Sequence, residues 1–375
     1  MEKLLKLKNN FSVKIISGVR GVGKTSLLKN FAERLRAEGV AEDEIIFVDC
    51  SAEDRPKDFQ AFYEFVEAQT FEREKFFLLV DDFDRVAEGE KAINALFVST
   101  PAEIYLTVSS EAFAEKISAL LPENCDVLKI YPPAFVECVK FSSAEDALKN
   151  YLHFGGLPSA FGADEKILPQ LLRGLTYEIL FDLLEKNSLQ RAELFRLLME
   201  TLARNAGKPT TMTSMANRLI KFSTSIYTFK NYLSCSASLF KKIPRFDIKT
   251  EKFLSGAEKF YCVDNGILFA LNPKADENIL IDNAVCVELW RRGCSVSSGK
   301  FGAMNITFVA ERDGEKFFVQ VLPTSGLSAQ RATRPLRALP ADAKKFLITL
   351  KREKKFDGVT NITLRDFLLD AEKIF

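Results

Sequence analysis

The sequence has a single histidine, His153, and its seven cysteines include no CxxC pair. A structural zinc site would therefore lack its usual ligand spacing, and the odd cysteine count argues against a disulfide framework. No apolar run is long enough to span a bilayer, and the first residues lack the apolar core of a signal peptide. These absences favour a cytoplasmic protein whose cysteines are buried thiols.

The chain has 375 residues, of which 47% are hydrophobic and 27% are charged. This length predicts two or three domains, and the composition is sufficient to build their cores. The formal net charge is only +1. Any strongly charged surface must therefore come from an uneven distribution of charge along the chain.

The stretch that organises the chain lies between residues 13 and 31. A β-branched run leads into GVRGVGKT, residues 18–25, and a helical pattern follows. Strand, glycine-rich loop and helix fill every position of the P-loop pattern, in which backbone N–H groups and a helix N-terminus bind phosphates. Lys24 is expected to reach the β- and γ-phosphates of ATP, and the Thr25 hydroxyl to ligate Mg²⁺. The alternative is a glycine-rich turn with an adventitious lysine, which the flanking strand and helix disfavour. The predicted nucleotide-binding residues are Gly18, Val19, Arg20, Gly21, Val22, Gly23, Lys24, Thr25 and Ser26.

A second motif is the apolar run KFFLLVDDFD, residues 75–84, which ends in acids. This pattern is typical of a Walker B strand, which delivers a carboxylate at the carboxyl edge of a parallel sheet. We predict that Asp81 completes the Mg²⁺ site. Asp82 is predicted to orient or deprotonate the attacking water. The alternative reading of both acids is a solvated strand end.

A further catalytic candidate follows the predicted strand Glu103 to Val108. Ser109 could contact the γ-phosphate or the attacking water, with Thr107 as the second choice; equally, the Ser109 hydroxyl could cap the next helix. The remaining predicted strands cover residues 44–50 and 126–131. One strand lies between the P-loop strand and the Walker B strand in sequence, which favours the additional-strand division of P-loop ATPases.

Five ordered segments, GVRGVGKTSLL, LLVDDFDRV, IYLTVSSEAF, IYPPAFVECVKF and YLHFGGLPSAF, resemble the ATPase domain of a prokaryotic AAA+-like family (AAA_14) with a C-terminal domain of the DUF4143 type. The resemblance implies an α/β fold: a P-loop NTPase parallel sheet with a helical lid, then a winged helix and a restriction-endonuclease-like domain. It implies ATP and Mg²⁺ as cofactors. The expected boundaries are 1–143, 144–190, 191–265 and 266–375.

Two departures from the family pattern predict slow hydrolysis. The Walker B glutamate of the family is Asp82 here, whose carboxylate lies one methylene, about 1.5 Å, further back. Residues 123–125 lack the arginine that the family tends to carry there, so Arg20 and Arg85 are candidate substitutes. A misplacement of about 1 Å can cost about a hundredfold in rate, and an arginine finger is worth roughly 10³ to 10⁵. We expect secure ATP binding but slow turnover.

The middle of the chain is expected to be basic. Helix-turn-helix order is predicted between residues 189 and 263, where the resemblance implies a winged helix. Residues 207–252 carry nine basic residues and two acids, a local charge of +7. Such asymmetry is typical of a surface that binds a polyanion, and Tyr227 and Lys230 lie on the predicted recognition helix. Double-stranded DNA, a protein partner, and the chain's own acidic nucleotide domain are all open as its partner.

The C-terminal part is expected to have a nuclease shape without its metal site. Where family members often carry two acids and a lysine, this chain has Asn305, Thr307 and Leu322. Asp282 and Glu288 alone are a poor cage for a hard cation. We therefore expect no nuclease activity.

Together these patterns predict a slow Mg-dependent ATPase. Its nucleotide state would set the orientation of the lid, the winged helix and the nuclease-like domain. The alternative is a non-catalytic regulatory or DNA-binding protein that the nucleotide only stabilises.

Overall fold

A computed structural model describes residues 1–70, 73, 75–140, 147–219, 225–322 and 328–370. The chain divides into two compact units. The first comprises Met1–Tyr131 with Ile179–Gln190, and the second Pro132–Glu178 with Arg191–Phe375. The four-part division expected from the sequence stays a prediction. Within the described residues, no helix is both long and apolar enough to cross a membrane.

The first unit alternates strands and helices. Its elements are α1 (Glu2–Lys6), β1 (Val13–Ser17), α2 (Lys24–Ala37), β2 (Ile45–Asp49), α3 (Phe59–Thr70), β3 (Phe76–Asp81), α4 (Gly89–Ser99), β4 (Ala102–Val108), α5 (Glu111–Leu120) and β5 (Cys125–Lys129). All strand pairs are parallel, in the order β2-β3-β4-β1-β5. Since β4 lies between β1 and β3, the predicted parallel sheet with an additional strand is confirmed.

Both faces of this sheet are covered, which explains why its strands read as continuous apolar runs. Ile15, Leu78 and Leu106 face one core cluster, which includes residues of α3, α4 and α5. Ile16 and Leu79 face another, which includes residues of α1 and α2. Successive strand residues alternate between these faces. The carboxyl ends of β1, β3 and β4 therefore meet at one edge, where the loops after them converge.

The second unit begins with helices. Its helical part comprises α6 (Phe135–Cys138), α7 (Ala147–Phe154), the first part of α8 (Leu168–Lys186), α9 (Ala192–Arg204), α10 (Met212–Leu219) and α11 (Ile226–Cys235). The last turns of α8 belong to the first unit. Apolar spacing predicts a helix from Leu189 to about Asn205, and the helix found there, α9, begins at Ala192.

A seven-stranded mixed sheet completes the second unit, in the order β12-β11-β10-β9-β8-β6-β7. Its elements are β6 (Phe240–Asp247), β7 (Lys252–Cys262), α12 (Asn265–Leu271), α13 (Glu277–Arg291), β8 (Ser295–Phe301), β9 (Met304–Arg312), β10 (Glu315–Val321), α14 (Ala329–Ala332), α15 (Arg334–Arg337), β11 (Lys344–Thr349), β12 (Thr360–Thr363) and α16 (Leu364–Leu369). The β6-β7 hairpin joins this sheet through parallel pairing of β6 with β8.

Two elements of the second unit differ from the sequence-based expectation. Apolar alternation predicts strands at residues 305–310, 316–322, 345–350 and 359–363. It does not predict β8, because SVSSGKF has little apolar alternation. At its Gly299, a Cβ would approach Val309 to 2.9 Å, so tight packing explains the glycine. The sequence NAVCVELWRRG, residues 283–293, predicts a helix ended by glycine. Helix α13 begins earlier, at Glu277, since the Asp276 side chain accepts a hydrogen bond from the Asn278 N–H and caps the helix.

A buried pair of asparagines joins three segments of the second unit. The Asn283 amide donates to the Cys262 carbonyl at 2.9 Å and accepts from the Cys262 N–H at 2.7 Å. It also donates to Asn265 at 2.8 Å, and the Asn265 amide in turn donates to the carbonyls of Leu152 and Leu280. Because these interior amides have partners, they fix the start of α12 against α13.

Candidate functional site

The loop between β1 and α2 has the backbone shape that the P-loop pattern requires. Gly21 and Gly23 have φ angles of +85° and +97°, in the left-handed region that favours glycine. Gly23 precedes α2 and offers no side chain to cap its first amides. A Cβ on Gly18 would lie 2.4 Å from the Ile130 carbonyl oxygen. The loop thus presents a helix N-terminus suited to an anion, with space around both left-handed glycines.

Lys24, the first residue of α2, folds back into this loop. Its ammonium donates to the carbonyl oxygens of Gly18 at 2.8 Å and Val19 at 3.1 Å, and to the Ser109 hydroxyl at 3.0 Å. Only 6% of the residue is exposed. Burial first, and then the neighbouring ammonium of Lys186, lower the pKa of Lys24 to about 8. The lysine that should contact phosphates is therefore in place, but its charge is costly to maintain.

The acids predicted for metal binding and catalysis lie where β3 ends. The Thr107 hydroxyl on β4 donates to the Asp81 carboxylate and accepts from the Asp82 N–H at 2.9 Å. Thr107, the second choice for a catalytic hydroxyl, is therefore fully buried and bonded to both acidic residues. Asp82 has a φ angle of +55°, which turns the chain sharply between the two carboxylates. Aspartate tolerates this left-handed conformation better than most residues.

A lysine that the sequence analysis missed lies at the centre of the site. The side chain of Lys186, the last residue of α8, is 1% exposed. Its ammonium lies 3.0 Å from Asp82, 3.1 Å from Asp84 and 3.1 Å from Asp182, and donates to Ser109 at 3.1 Å. Burial opposes its charge, yet the three carboxylates together raise the pKa of Lys186. It is therefore a charged group that compensates a buried acidic cluster.

Arg85 is the second cation of this cluster. It contacts Asp82 at 3.1 Å, Asp182 at 2.8 Å and Glu185 at 3.0 Å. Burial works against ionisation of Asp82, but Lys186 and then Arg85 hold its pKa below the usual value. Both carboxylate oxygens of Asp82 consequently accept from a cation, Oδ1 from Lys186 and Oδ2 from Arg85. Asp82 is therefore ionised, and both of its carboxylate oxygens are occupied by ion pairs.

Asp84 binds the backbone of the loop that follows β4. Its Oδ2 accepts from the N–H groups of Ser109 and Ser110 at 2.7 and 2.8 Å, which fixes the loop after β4. The Ser110 hydroxyl accepts from the Phe113 N–H and caps α5. The capping role weighed for Ser109 therefore falls to its neighbour, and the Ser109 hydroxyl instead contacts two ammonium groups.

The structure brings most of the predicted site residues together. Lys24, Ser109 and Asp82 are connected through Lys186, and Asp81 through Thr107. Thr25 and Ser26 are exposed in the first turn of α2, and Val19 and Val22 are buried. Half-exposed Arg20 lies 3.5 Å from Asp182. The one sequence signal for the missed residues was the spacing of Asp182 and Lys186, a pair four residues apart on one helix.

The region of the second unit for which the sequence predicts a nuclease shape is organised differently. Both oxygens of Glu288 accept from arginines, Arg291 and Arg292, at 3.0 Å each. Burial raises the pKa of Asp282 to about 7, against the opposing effect of Lys259. Thr307 accepts from the Val321 N–H on the neighbouring strand. No group of three or more His, Cys, Asp or Glu side chains suited to a metal occurs among the described residues. Lack of nuclease activity stays a prediction.

Comparison with known proteins gives two family matches. Residues 10–139 match a family described as an AAA domain (AAA_14). Residues 145–278 match DUF8612, a domain of unknown function. The latter differs from the DUF4143 type expected from the sequence, which is not shown and stays a prediction.

Two relatives are similar to the chain over more than half of its length. An uncharacterized protein of Haemophilus influenzae is 29% identical over 392 residues, an alignment that covers 98% of this chain and 97% of the relative. The uncharacterized protein MJ1544 of Methanocaldococcus jannaschii is 26% identical over 241 residues, covering 58% of this chain and 53% of its own.

Solved structures resemble the chain only distantly. The Aeropyrum pernix ORC1 protein in complex with DNA has a TM-score of 0.34 and 10% identity, covering 73% of this chain and 91% of its own. A variant of Thermotoga maritima RuvB has a TM-score of 0.31 and 14% identity, covering 62% of this chain and 82% of its own. Similarity at this level carries no argument about function. Residues 10–139 are therefore similar to an AAA domain, and their parallel sheet has the strand order of an additional-strand P-loop fold.

Proposed function

We propose that the first unit binds Mg-ATP and hydrolyses it slowly, so that the nucleotide state acts as a conformational switch. The observation that carries the proposal is the position of Lys24. Its ammonium lies inside a loop with two left-handed glycines, beside the acids at the end of β3. An uncapped helix N-terminus, a buried lysine and clustered carboxylates are the donor set that a magnesium-bound triphosphate requires.

Each residue of the site has a proposed role. The loop amides and Lys24 would hold the phosphates, and Thr25 and Asp81 would hold Mg²⁺. When bound, Mg²⁺ neutralises charge on the β- and γ-phosphates. Asp82 would orient or deprotonate the attacking water, and Ser109 would contact the γ-phosphate or that water. The residues proposed to bind the nucleotide are Gly18, Val19, Arg20, Gly21, Val22, Gly23, Lys24, Thr25 and Ser26.

The arrangement of Asp82 supports slow turnover rather than a fast motor. A base whose two oxygens each accept from a cation is a weak base, because proton uptake must compete with both ion pairs. This adds to the short side chain and to the missing arginine of residues 123–125. The competing proposal is a regulatory protein in which the nucleotide only stabilises the fold.

Thermal unfolding with and without Mg-ATP tests the binding step. At a hundred times Kd, ATP should add about 2.7 kcal/mol to the unfolding free energy, which corresponds to a Tm increase of several degrees. Lys24→Ala should abolish the increase while leaving the ligand-free protein folded. If wild type and Lys24→Ala respond equally, the P-loop assignment is wrong.

Phosphate release separates the switch from its non-catalytic rival. Wild type should release phosphate slowly in the presence of Mg²⁺. Asp81→Asn should abolish this magnesium-dependent release, since Asp81 supplies the proposed carboxylate ligand. If release from wild type equals that of Lys24→Ala, we would assign the nucleotide a stabilising role only.

A second candidate function is DNA binding by the second unit, with α9, α10, α11 and the β6-β7 hairpin acting as a winged helix. The favouring observation is that basic side chains on these elements face solvent, including Arg218, Lys230 and Lys252. Tyr227, in the first turn of α11, is 81% exposed. Phosphate contacts predict duplex affinity that falls steeply with salt and weakens in Lys230→Ala. Absence of duplex binding at low salt would favour a protein partner.

A further inference from the structure

The ion pairs of Asp82 create a conflict with its proposed role. A water-activating carboxylate needs an oxygen free to accept a proton. Here Lys186 lies 3.0 Å from Oδ1, and Arg85 lies 3.1 Å from Oδ2. One of these cations must leave before Asp82 can engage water.

Lys186 is the cation placed to leave. Arg85 is held by Asp182 and Glu185 as well as by Asp82, and its planar guanidinium fixes that geometry. The Lys186 ammonium ends a flexible four-carbon stem, so it can change partners by side-chain rotation alone. Its remaining carboxylates, Asp84 and Asp182, would keep it anchored during such a change.

The new partner is indicated by a hydroxyl that two ammonium groups share. Ser109 accepts from Lys24 at 3.0 Å and from Lys186 at 3.1 Å, so the two nitrogens lie within about 6 Å of each other. A phosphoryl group bound by Lys24 would therefore lie within reach of Lys186. Two cations facing one hydroxyl repel each other, and this repulsion adds to the effect of burial in lowering the pKa of Lys24. A terminal phosphate between them would relieve that repulsion.

We propose that Lys186 is a positioning residue that exchanges Asp82 for the γ-phosphate when ATP binds. Without a γ-phosphate, Lys186 holds Asp82 in an ion pair and the site is inactive. With ATP, Lys186 contacts the terminal phosphate and Asp82 becomes available to water. This inference rests on the proposed ATPase function and extends it, because it makes Lys186 the group that distinguishes ATP from ADP.

Nucleotide affinities measured by calorimetry, with Mg²⁺ at constant concentration, test the exchange. Lys186→Met should weaken ATP binding by about tenfold or more, because it removes a charge-assisted contact to the γ-phosphate. Its ADP affinity should stay within about twofold of wild type. Glu185→Gln is the matched control: it lies on the same turn, pairs with Arg85 and should leave both affinities unchanged.

The variant leaves buried carboxylates without their cation, so Asp182→Asn combined with Lys186→Met is measured alongside. The double variant removes one charge of each sign and should show the same selective loss of ATP affinity. Equal losses for ATP and ADP, or no loss for either, would overturn the exchange. If wild type binds neither nucleotide, the proposed ATPase function fails instead, and ADP binding by wild type distinguishes the two failures.

Discussion

The affinity of the protein for ATP should fall as the pH rises from 7 to 9, because Lys24 loses its proton in that range. Its pKa in the ligand-free protein is about 8. About nine-tenths of the molecules carry a charged Lys24 at pH 7 and about one-tenth at pH 9. A triphosphate binds the charged form, so the apparent affinity should drop about tenfold, or about 1.4 kcal/mol.

Proton uptake on binding gives a second measure of the same effect. Phosphates beside Lys24 raise its pKa again, so binding at pH 8 should take up about half a proton. Calorimetric titrations at pH 8 in two buffers of different ionisation enthalpy report this number directly. Titrations at pH 7, 8 and 9, at constant ionic strength and saturating Mg²⁺, report the change in affinity.

Lys24→Arg is the matched control, because a guanidinium does not titrate below pH 12. The variant should bind more weakly at every pH, since a planar group replaces a compact ammonium, but its affinity should be flat between pH 7 and 9. A flat profile for wild type, or an equal decline in the variant, would refute the assignment of the titration to Lys24.

The same pKa shift has a consequence for the ligand-free protein. The folded chain holds the Lys24 proton less tightly than the unfolded chain, in which the pKa is near its ordinary value of 10.5. The contribution of Lys24 to the unfolding free energy should therefore increase as the pH rises from about 8 towards 10.5. Comparing the pH dependence of unfolding of wild type and Lys24→Met isolates this contribution.

Three further substitutions probe other contacts. Gly18→Ala should prevent nucleotide binding, measured by the ATP-induced Tm increase, because its Cβ would meet the Ile130 carbonyl oxygen at 2.4 Å; an unchanged increase would contradict this. Thr107→Val should cost about 1–3 kcal/mol in urea unfolding, since the buried Asp81 loses its donor; neutrality would show that water replaces the hydroxyl. Asn283→Leu should destabilise by more than about 2 kcal/mol by leaving backbone groups unpaired, and a stable variant would refute the network.

The sequence predicts the geometry around Lys24 because the signals for that geometry are local. A strand, a glycine-rich loop and a helix in succession place Lys24 beside the loop carbonyls without reference to the rest of the chain. The position of the acids at the end of β3 is also predicted locally, because the apolar run before them indicates a strand buried on both faces. The order of the motifs favours the additional-strand division, and the position of β4 between β1 and β3 agrees with it.

The remainder of the site depends on long-range contacts that no local pattern encodes. Lys186 follows Asp82 by 104 residues, and its burial against the acids arises only when the chain returns to the first unit. A charged pair on a helix usually marks a solvated face, so Asp182 and Lys186 gave no distinctive signal. Strand β8 was also not predicted, because its small residues follow from contacts with distant parts of the chain. At Gly299, for example, neighbouring side chains leave no room for a Cβ.

The path of α8 has a consequence for the order in which the protein can mature during synthesis. The segment Ile179–Gln190 completes the first unit only after Pro132–Glu178, which belongs to the second, has been made. Until then the acids after β3 lack their lysine. A ribosome-bound chain that ends near residue 143 would lack the ammonium that pairs with Asp82 and Asp84, so the first unit should acquire its native stability late, when the far end of α8 has left the exit tunnel.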